Sequence, residues 1–380
     1  MGIGIINFNA VCNLGCGMDK ISHNALVGDN THFKITEDII KNKKVRIGIV
    51  DENLPQIQNI DYNTRCNQLV LKCLGLLKKD IDYFIDKYGN SEIAVVVATT
   101  NTGVEEYEVI KNLNYFELGN PAMFVKDYFK LNNLAMTVST ACSSGIKAFS
   151  IAKDILNNEI AKIVIVIGVD SIAKLPIFGF NSLEVLSPNP TNPFGANREG
   201  INIGEGVAAF ILAKQENPEI EILGIGETTD IYHSTCPDPM AKESIKAIQF
   251  AMKEANLSPN QINYINLHGT GTVSNDIMEA QAINFIFGEN IPCSSTKPLT
   301  GHCLGAAAAI EVALCCELLK KRKTKLYPHV YNGEYDPSLP KIKLVKSEEN
   351  DIFNIKTCLC TAFGFGGTNA AIILGGNNYA

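Results

Sequence analysis

Residues 134–156 decide the fold. They read Leu134-Ala135-Met136-Thr137-Val138, then Thr140-Ala141-Cys142-Ser143-Ser144-Gly145, then a helical pattern over 146–156. The apolar run predicts a buried strand, and the small residues after it predict a turn into a helix. A thiol at this junction faces the unpaired N–H groups and the positive dipole end of the helix, which favours the thiolate. We therefore expect Cys142 to be a nucleophile with a lowered thiol pKa; the alternative is a core cysteine, since free cysteine is among the most buried residue types.

The same order of elements occurs twice along the chain. In the first half an apolar run over 92–98 ends in a Thr/Gly-rich turn, and in the second half a run over 262–267 ends in His268-Gly269-Thr270-Gly271-Thr272. Short apolar runs that stop at turn residues are typical of central strands in a sheet covered on both faces.

Further along, each half contains a reactive residue directly before a predicted buried helix. Cys142 precedes the first of these helices, and His302 precedes an alanine-rich pattern over 306–319. A further strand pattern follows each helix, over 162–169 and 357–362. The alternation predicts an α/β layered fold with mostly parallel strands, built from two similar halves, 1–215 and 216–380. Residues 174–206, with four prolines, are predicted to be an irregular excursion.

Composition and charge exclude several classes of function. The chain has 380 residues, 46% of them apolar, and no apolar run long enough to insert into a membrane. Its first ten residues resemble a buried strand rather than a signal peptide, so we expect a cytoplasmic protein whose twelve cysteines are reduced. Their spacing does not suggest a metal site.

The net charge of −7 argues against nucleic-acid binding, although a local basic patch could receive an acidic partner, with Lys320-Lys321-Arg322-Lys323 as one candidate.

Two of the six histidines stand in Gly/Thr-rich segments beside predicted strand ends, namely His268 and His302. Lys297 lies shortly before His302, and Glu311 lies nine positions after it. A lysine and a glutamate in an apolar helical region are costly to bury unless they pair, so we expect a bonded pair that orients His302. The segment Gly364-Phe365-Gly366-Gly367-Thr368-Asn369 suits either an oxyanion hole or a tight turn.

Together these segments resemble the β-ketoacyl-[acyl carrier protein] synthases of the thiolase superfamily, of the elongating Cys-His-His type. The motifs occur in the order of that family along nearly the whole chain. The resemblance implies a thiolase-like five-layered αβαβα fold of two similar halves. It also implies an acyl carrier protein as partner and a homodimer, or a heterodimer with a related synthase-like subunit. No cofactor is expected, because the phosphopantetheine arm arrives on the carrier protein.

The resemblance also implies residue roles. Cys142 would accept an acyl group, and His268 and His302 would promote decarboxylation of malonyl-carrier protein and stabilise the enolate. Lys297 and Glu311 would support them. The remaining roles are an oxyanion hole from the N–H groups of Cys142 and Phe365, pantetheine binding by Thr270 and Thr272, and substrate contacts by Phe363 and Phe365, with Phe365 as a gate. Carrier docking is expected to need a basic patch that includes Arg65.

The sequence leaves open both the exact function, for which there are two alternatives, and the pathway. A chain-length-factor partner subunit shares this fold but lacks the nucleophile, and a degradative thiolase has a second cysteine near its C-terminus and no second histidine here. The pathway is either fatty-acid elongation or a specialised aryl polyene or related polyketide route. The short chain favours the specialised route, as does the early region 30–63, which has no clear counterpart to the longer segment of the family there.

Overall fold

The structure is a computed structural model that describes residues 1–348 and 351–376. The strands are β1 Gly2–Cys12, β2 Gly15–Cys16, β3 Lys34–Ile40, β4 Lys43–Gly48, β5 Ile93–Ala98, β6 Ala135–Val138, β7 Ile163–Asp170, β8 Ile203–Gly204, β9 Gly206–Gln215, β10 Ile220–Thr229, β11 Tyr264–Asn266, β12 Pro292–Ser294, β13 Lys323–Thr324, β14 Lys343–Leu344, β15 Phe353–Asn354, β16 Thr357–Gly364 and β17 Thr368–Gly376. The α-helices are α1 Met18–Leu26, α2 Arg65–Tyr88, α3 Val104–Ile110, α4 Asn120–Tyr128, α5 Ser144–Asn157, α6 Lys174–Ser182, α7 Lys242–Ala255, α8 Val273–Phe287, α9 Lys297–Thr300 and α10 Ala307–Lys321.

Strand order shows the duplication. The first half of the main sheet runs β1-β9-β7-β5-β6, and the second half runs β10-β17-β16-β11-β12. The two series correspond strand for strand, and β1 pairs with β10 to join them. The prediction of two similar halves is confirmed. The division at 215/216 falls directly after β9, and as a domain boundary it stays a prediction.

Five layers follow from the packing of helices on this sheet. Helix α2 covers the outer face of the first half, and α7 and α8 cover the outer face of the second. Helices α5 and α10 lie between the two halves, where they contact each other and strands of both. Helix α10 is buried almost all round, which explains its small apolar residues, whereas α5 buries one face and exposes Asp154 and Asn157. The αβαβα arrangement agrees with the predicted fold class.

Two expectations about local structure are wrong. The sheet is mixed rather than mostly parallel, because β16 and β17 are joined by the short turn Phe365–Gly367 and so must run antiparallel. Residues 174–206 are not wholly irregular, since they contain helix α6 and strand β8. Pro176 is tolerated because it occupies the first turn of α6, where its missing N–H would have had no partner within the helix.

Within the described residues, no helix has both the length and the apolar character needed to cross a membrane.

The crossing of α5 and α10 leads to a stability prediction. A Cβ at Gly145 would lie 2.7 Å from the backbone N of Ala309 and 3.0 Å from the Cβ of Ala308, so Gly145→Ala should force the helices apart. We expect a loss of about 1–3 kcal/mol in the free energy of unfolding, measured by chemical denaturation. The control is Gly75→Ala in α2, where a Cβ meets nothing within 4 Å. That change should stabilise by up to about 1 kcal/mol, and equal effects of the two variants would contradict the packing argument.

Candidate active site

Cys142 lies between the end of β6 and the start of α5. The preceding residue, Ala141, has a left-handed backbone with φ of 52°, which produces the sharp turn into the helix. Ser144 reinforces this turn because its hydroxyl donates to the Ala141 carbonyl oxygen and accepts from the Thr140 N–H. The thiol of Cys142 is buried, with 8% of the residue exposed.

The structure brings His268 and His302 to this thiol. His268 follows β11, and His302 stands between α9 and the 3₁₀ turn that precedes α10. A sulfur or ring nitrogen from each of Cys142, His268 and His302 lies within 4.8 Å of the others. The two imidazole rings are 5.5 Å apart between centroids and nearly perpendicular. Both histidines are buried.

The proton position on His302 follows from its backbone contact. The Leu304 N–H donates to Nδ1 of His302 at 3.0 Å, so this nitrogen must carry the lone pair. A neutral His302 therefore carries its proton on Nε2. In that tautomer Nε2 is a hydrogen-bond donor and has no lone pair for a metal ion. The spacing of the three groups alone would suit a metal ion, but the tautomer of His302 does not fit one.

Lys297 and Glu311 form a buried ion pair. Nζ of Lys297 donates to Oε1 of Glu311 at 2.5 Å, and both side chains are almost fully buried. Burial raises the pKa of Glu311 to about 7, against the opposing effect of Lys297. Burial, together with the charge of Lys297, lowers the pKa of His302 to about 3 and holds the pKa of His268 well below its usual value. Both imidazoles are therefore neutral at physiological pH.

The expected low thiol pKa is not found. Burial raises the pKa of Cys142 to about 12, although the charge of Lys297 and a backbone hydrogen bond act in the opposite direction. The negative charge of Glu311 adds to the increase. Removal of Cys142 from water thus outweighs its position before a helix, and the resting side chain is a neutral thiol.

The other predicted residues line one cavity with these three, which we call the inner cavity. Thr270, Thr272, Phe363 and Phe365 all border it. The hydroxyls of Thr270 and Thr272 are 2.9 Å apart. Phe363 packs edge-on against His268 at 6.0 Å, and Phe365 has 37% of its surface exposed.

Gly364 allows the segment before Phe365 to approach the nucleophile. A Cβ at this position would lie 3.1 Å from the Thr140 carbonyl oxygen and 3.2 Å from the Cys142 backbone N. The absence of a side chain therefore lets the start of the Phe365 turn lie beside the Cys142 N–H, as an oxyanion hole from Cys142 and Phe365 would require.

A second, apolar cavity of about 420 Å³ also reaches Cys142, and we call it the side cavity. Phe180 of α6 lines both cavities and packs 5.6 Å from Phe365 and 6.4 Å from His302 between ring centroids. Phe180 was not predicted from sequence, because it lies in the segment interpreted as irregular. His233 also borders the inner cavity, although its sequence context did not distinguish it from the other histidines.

Asp170 lies at the end of β7. Its hydrogen bonds connect residues 100–101, which line the side cavity, to the turn that follows His302. Its buried carboxylate accepts from both the N–H and the hydroxyl of Thr100, and from the N–H of Asn101. It also accepts from the Gly305 N–H at 2.6 Å, one residue beyond the Leu304 N–H that binds His302. Such a carboxylate could not have been identified from sequence, because its partners are far apart along the chain.

Arg65 differs from the expectation for a docking residue. Its guanidinium donates two hydrogen bonds to the buried carboxylate of Glu205 and one to the Val50 carbonyl oxygen. The charge of Arg65 is therefore neutralised within the chain.

Comparison with known proteins gives consistent matches. The model of the beta-ketoacyl synthase N-terminal domain matches residues 86–217, and that of the C-terminal domain matches 220–330. The putative mitochondrial 3-oxoacyl-[acyl-carrier-protein] synthase of Schizosaccharomyces pombe is 35% identical over 275 residues, which cover 66% of this chain and 64% of that protein. For 3-oxoacyl-[acyl-carrier-protein] synthase 2 of Staphylococcus aureus the identity is 32% over 250 residues, with 62% and 61% covered. The matched region thus spans less than two thirds of the length of these relatives.

A solved structure extends the similarity to almost the whole chain. It is the complex of the ketosynthase ApeO with its chain length factor ApeC from Xenorhabdus doucetiae. The match to a chain of this complex has a TM-score of 0.94 and 35% identity, and covers 99% of this chain and 98% of the other.

The raised thiol pKa gives a test by alkylation. Because the reactive species is the thiolate, the rate at which iodoacetamide modifies Cys142 should rise about tenfold per pH unit from about pH 7 to about pH 9. The rate is measured by peptide mass spectrometry at Cys142. A plateau in the rate within this range would show that the thiol pKa of Cys142 is not raised and would contradict the effect of burial.

Proposed function

Because the chain belongs to the β-ketoacyl synthase family, we propose that it is a 3-oxoacyl-[acyl-carrier-protein] synthase. The reaction is the decarboxylative Claisen condensation of an acyl group, held as a thioester on Cys142, with malonyl-[acyl carrier protein]. The main support for this proposal is that Cys142, His268 and His302 lie close together in one buried cavity.

Acyl transfer to Cys142 is the first step. The thiol sulfur attacks the acyl thioester, the bond from the acyl carbon to the pantetheine sulfur breaks, and the free pantetheine thiol leaves. The N–H groups of Cys142 and Phe365 would bind the oxyanion of the intermediate. Since the resting thiol is neutral, its proton must go to a base. His302 cannot accept this proton on Nε2, which already carries a hydrogen in the tautomer set by the Leu304 N–H, so His268 is the better base. From His268 the proton passes to the leaving pantetheine sulfur.

Decarboxylation and condensation follow. Malonyl thioester loses carbon dioxide, and the electron pair left behind forms an enolate. The Nε2–H of His302 and an N–H of His268 donate to the enolate oxygen, which carries the developing charge in a site largely removed from water. The enolate carbon then attacks the acyl carbonyl, and the Cys142 sulfur leaves and regains a proton.

The remaining residues have supporting roles in this proposal. Burial and, second to it, the charge of Lys297 keep both imidazoles neutral by lowering their pKa, and Glu311 compensates the charge of Lys297. Thr270 and Thr272 bind the pantetheine arm, which arrives on the carrier protein, so no resident cofactor is needed. Phe363 contacts the substrate. Phe365 separates the inner cavity, for the malonyl group, from the side cavity, for the acyl chain.

A second subunit fits the face that carries the side cavity. Strand β6 is the edge of the sheet. The segment 104–118, which lines the side cavity, exposes the apolar side chains of Val109, Leu113 and Phe116. Phe116 also lines the side cavity, so a partner on this face would close it. We propose a dimer, with either a second copy or a related synthase-like chain. A cytoplasmic location fits the twelve cysteines, none of which forms a disulfide in the structure.

The two alternative functions are less consistent with the site. A chain-length factor would not need Cys142 together with both histidines. A degradative thiolase would place a cysteine in the Phe365 segment, where this chain has glycines. The pathway, fatty-acid or aryl polyene and related polyketide elongation, depends on the acyl groups that the side cavity accepts.

Cys142→Ala should preserve the fold and abolish acyl loading. Among the described residues Cys142 is the thiol that lies next to both histidines, whereas Cys236, which also lines the inner cavity, is not part of that group. Intact mass spectrometry after incubation with a panel of acyl-carrier proteins would show no adduct, whereas the wild type would gain the mass of the preferred acyl group. Cys16→Ala, in β2, is the control and should load normally. Full condensation by Cys142→Ala would refute the nucleophile assignment.

His302→Ala should retain acyl loading, but its rate of malonyl decarboxylation should fall by a factor of about 10²–10³, because one hydrogen-bond donor to the enolate is removed. Release of carbon dioxide from malonyl-carrier protein measures the second step separately from the first. His23→Ala, on the exposed part of α1, is the control. Decarboxylation at the wild-type rate in His302→Ala would remove this residue from the mechanism.

A further inference from the structure

The hairpin of β3 and β4 is a basic segment of an otherwise acidic chain. Residues 34–46 contain five lysines and arginines against two acidic residues, a net charge of +3, whereas the whole chain has −7. The two strands pair in antiparallel fashion, and Asn42 at the turn has a left-handed backbone with φ of 61°. This geometry places Lys41 at the tip and Lys43 and Lys44 directly after it.

The hairpin packs against helix α6, whose Phe180 lines the inner cavity. Val45 and Ile47 of β4 pack in one apolar cluster with Ile177 of α6. Nζ of Lys43 donates to Oδ1 of Asn181 at 2.5 Å. Asn181 directly follows Phe180, which lines both cavities. The basic tip is therefore anchored to the helix that forms the cavity wall.

Two cations of this tip are not neutralised within the described part of the chain. Lys41 and Lys44 are exposed, and neither has a carboxylate within the 4.0 Å that defines an ion pair. Other cations close to the site are paired, Arg65 with Glu205 and Lys174 with Glu105. The hairpin tip thus carries positive charge that no carboxylate of the described residues neutralises, unlike the charge of Arg65.

Exposed apolar side chains lie in the loop over residues 230–240, part of which lines the inner cavity together with Phe180. Ile231 is 96% exposed, Tyr232 is 60% exposed, and the next residue, His233, borders the inner cavity. Met240, at the other end of this loop, is 62% exposed. Apolar contacts together with charged groups at the edge are the usual composition of a protein interface.

We infer that the β3–β4 hairpin, through Lys41 and Lys44, is the docking surface for the carrier protein, and that it recognises an acidic surface around the phosphopantetheine attachment. Ile231 and Tyr232 provide the apolar part of the same interface. This inference rests on the proposed function, since it assumes a carrier-borne substrate. Uncompensated lysines steer an acidic partner and raise the rate of association, most strongly at low salt.

The test compares a carrier-borne acyl substrate with a small one. The double variant Lys41→Glu/Lys44→Glu should lower kcat/KM for acyl transfer from acyl-carrier protein by about tenfold at low salt, and the difference should shrink as salt is added. Acyl transfer from an acyl-N-acetylcysteamine thioester should be unchanged, because that substrate does not contact the hairpin. The control, Lys320→Glu/Lys323→Glu, carries the same change in charge at the far end of α10, about 22 Å from its N-terminus, and should behave as the wild type.

Each other outcome overturns the inference. Wild-type kinetics with the carrier protein would exclude the hairpin from docking. An equal loss with the small thioester would show that the hairpin acts on the cavity itself. An equal loss in the control would show that only net charge matters. If instead the wild type is not acylated at Cys142 by either substrate, the proposed function fails, which is a separate result.

Discussion

The close crossing of α5 and α10 between the two halves is the contact on which the site depends. Gly145 lets the backbone of Ala309 approach to a distance that no Cβ would permit. Each helix is preceded by a reactive residue, Cys142 before α5 and His302 before α10. The crossing therefore converts a repeated order of elements into a single cavity. His268 reaches the same cavity from the end of β11, a strand of the second half.

Burial determines the charge state of this cavity. Lys297 and Glu311 are removed from water as a pair, and the charge of Lys297 disfavours a second positive charge on either imidazole. The same burial disfavours a thiolate on Cys142. The resting site is thus a neutral thiol beside two neutral imidazoles, one of which is held as a donor by the Leu304 N–H. These are suitable groups for binding an enolate that forms only during the reaction.

Buried carboxylates hold the loops that carry these groups. Asp170 binds the Thr100 and Asn101 segment together with Gly305, so it connects the side cavity to the His302 turn. Glu279 has the same function for His268 and Gly269, whose N–H groups donate to its carboxylate at 2.7 and 2.6 Å. Because buried backbone groups need partners, these two carboxylates allow irregular segments to lie deep in the protein.

Local sequence was sufficient for the duplicated order of strands and helices, the placement of Cys142 and His302 before buried helices, and the pairing of Lys297 with Glu311. Periodicity and turn residues report on such features because they act over a few neighbouring residues. The mixed direction of the sheet, helix α6, Phe180, the partner of Arg65 and the raised pKa of Cys142 could not be obtained in that way. These features depend on which distant segments come into contact and on how much water is excluded between them. Both are determined only when the chain has folded.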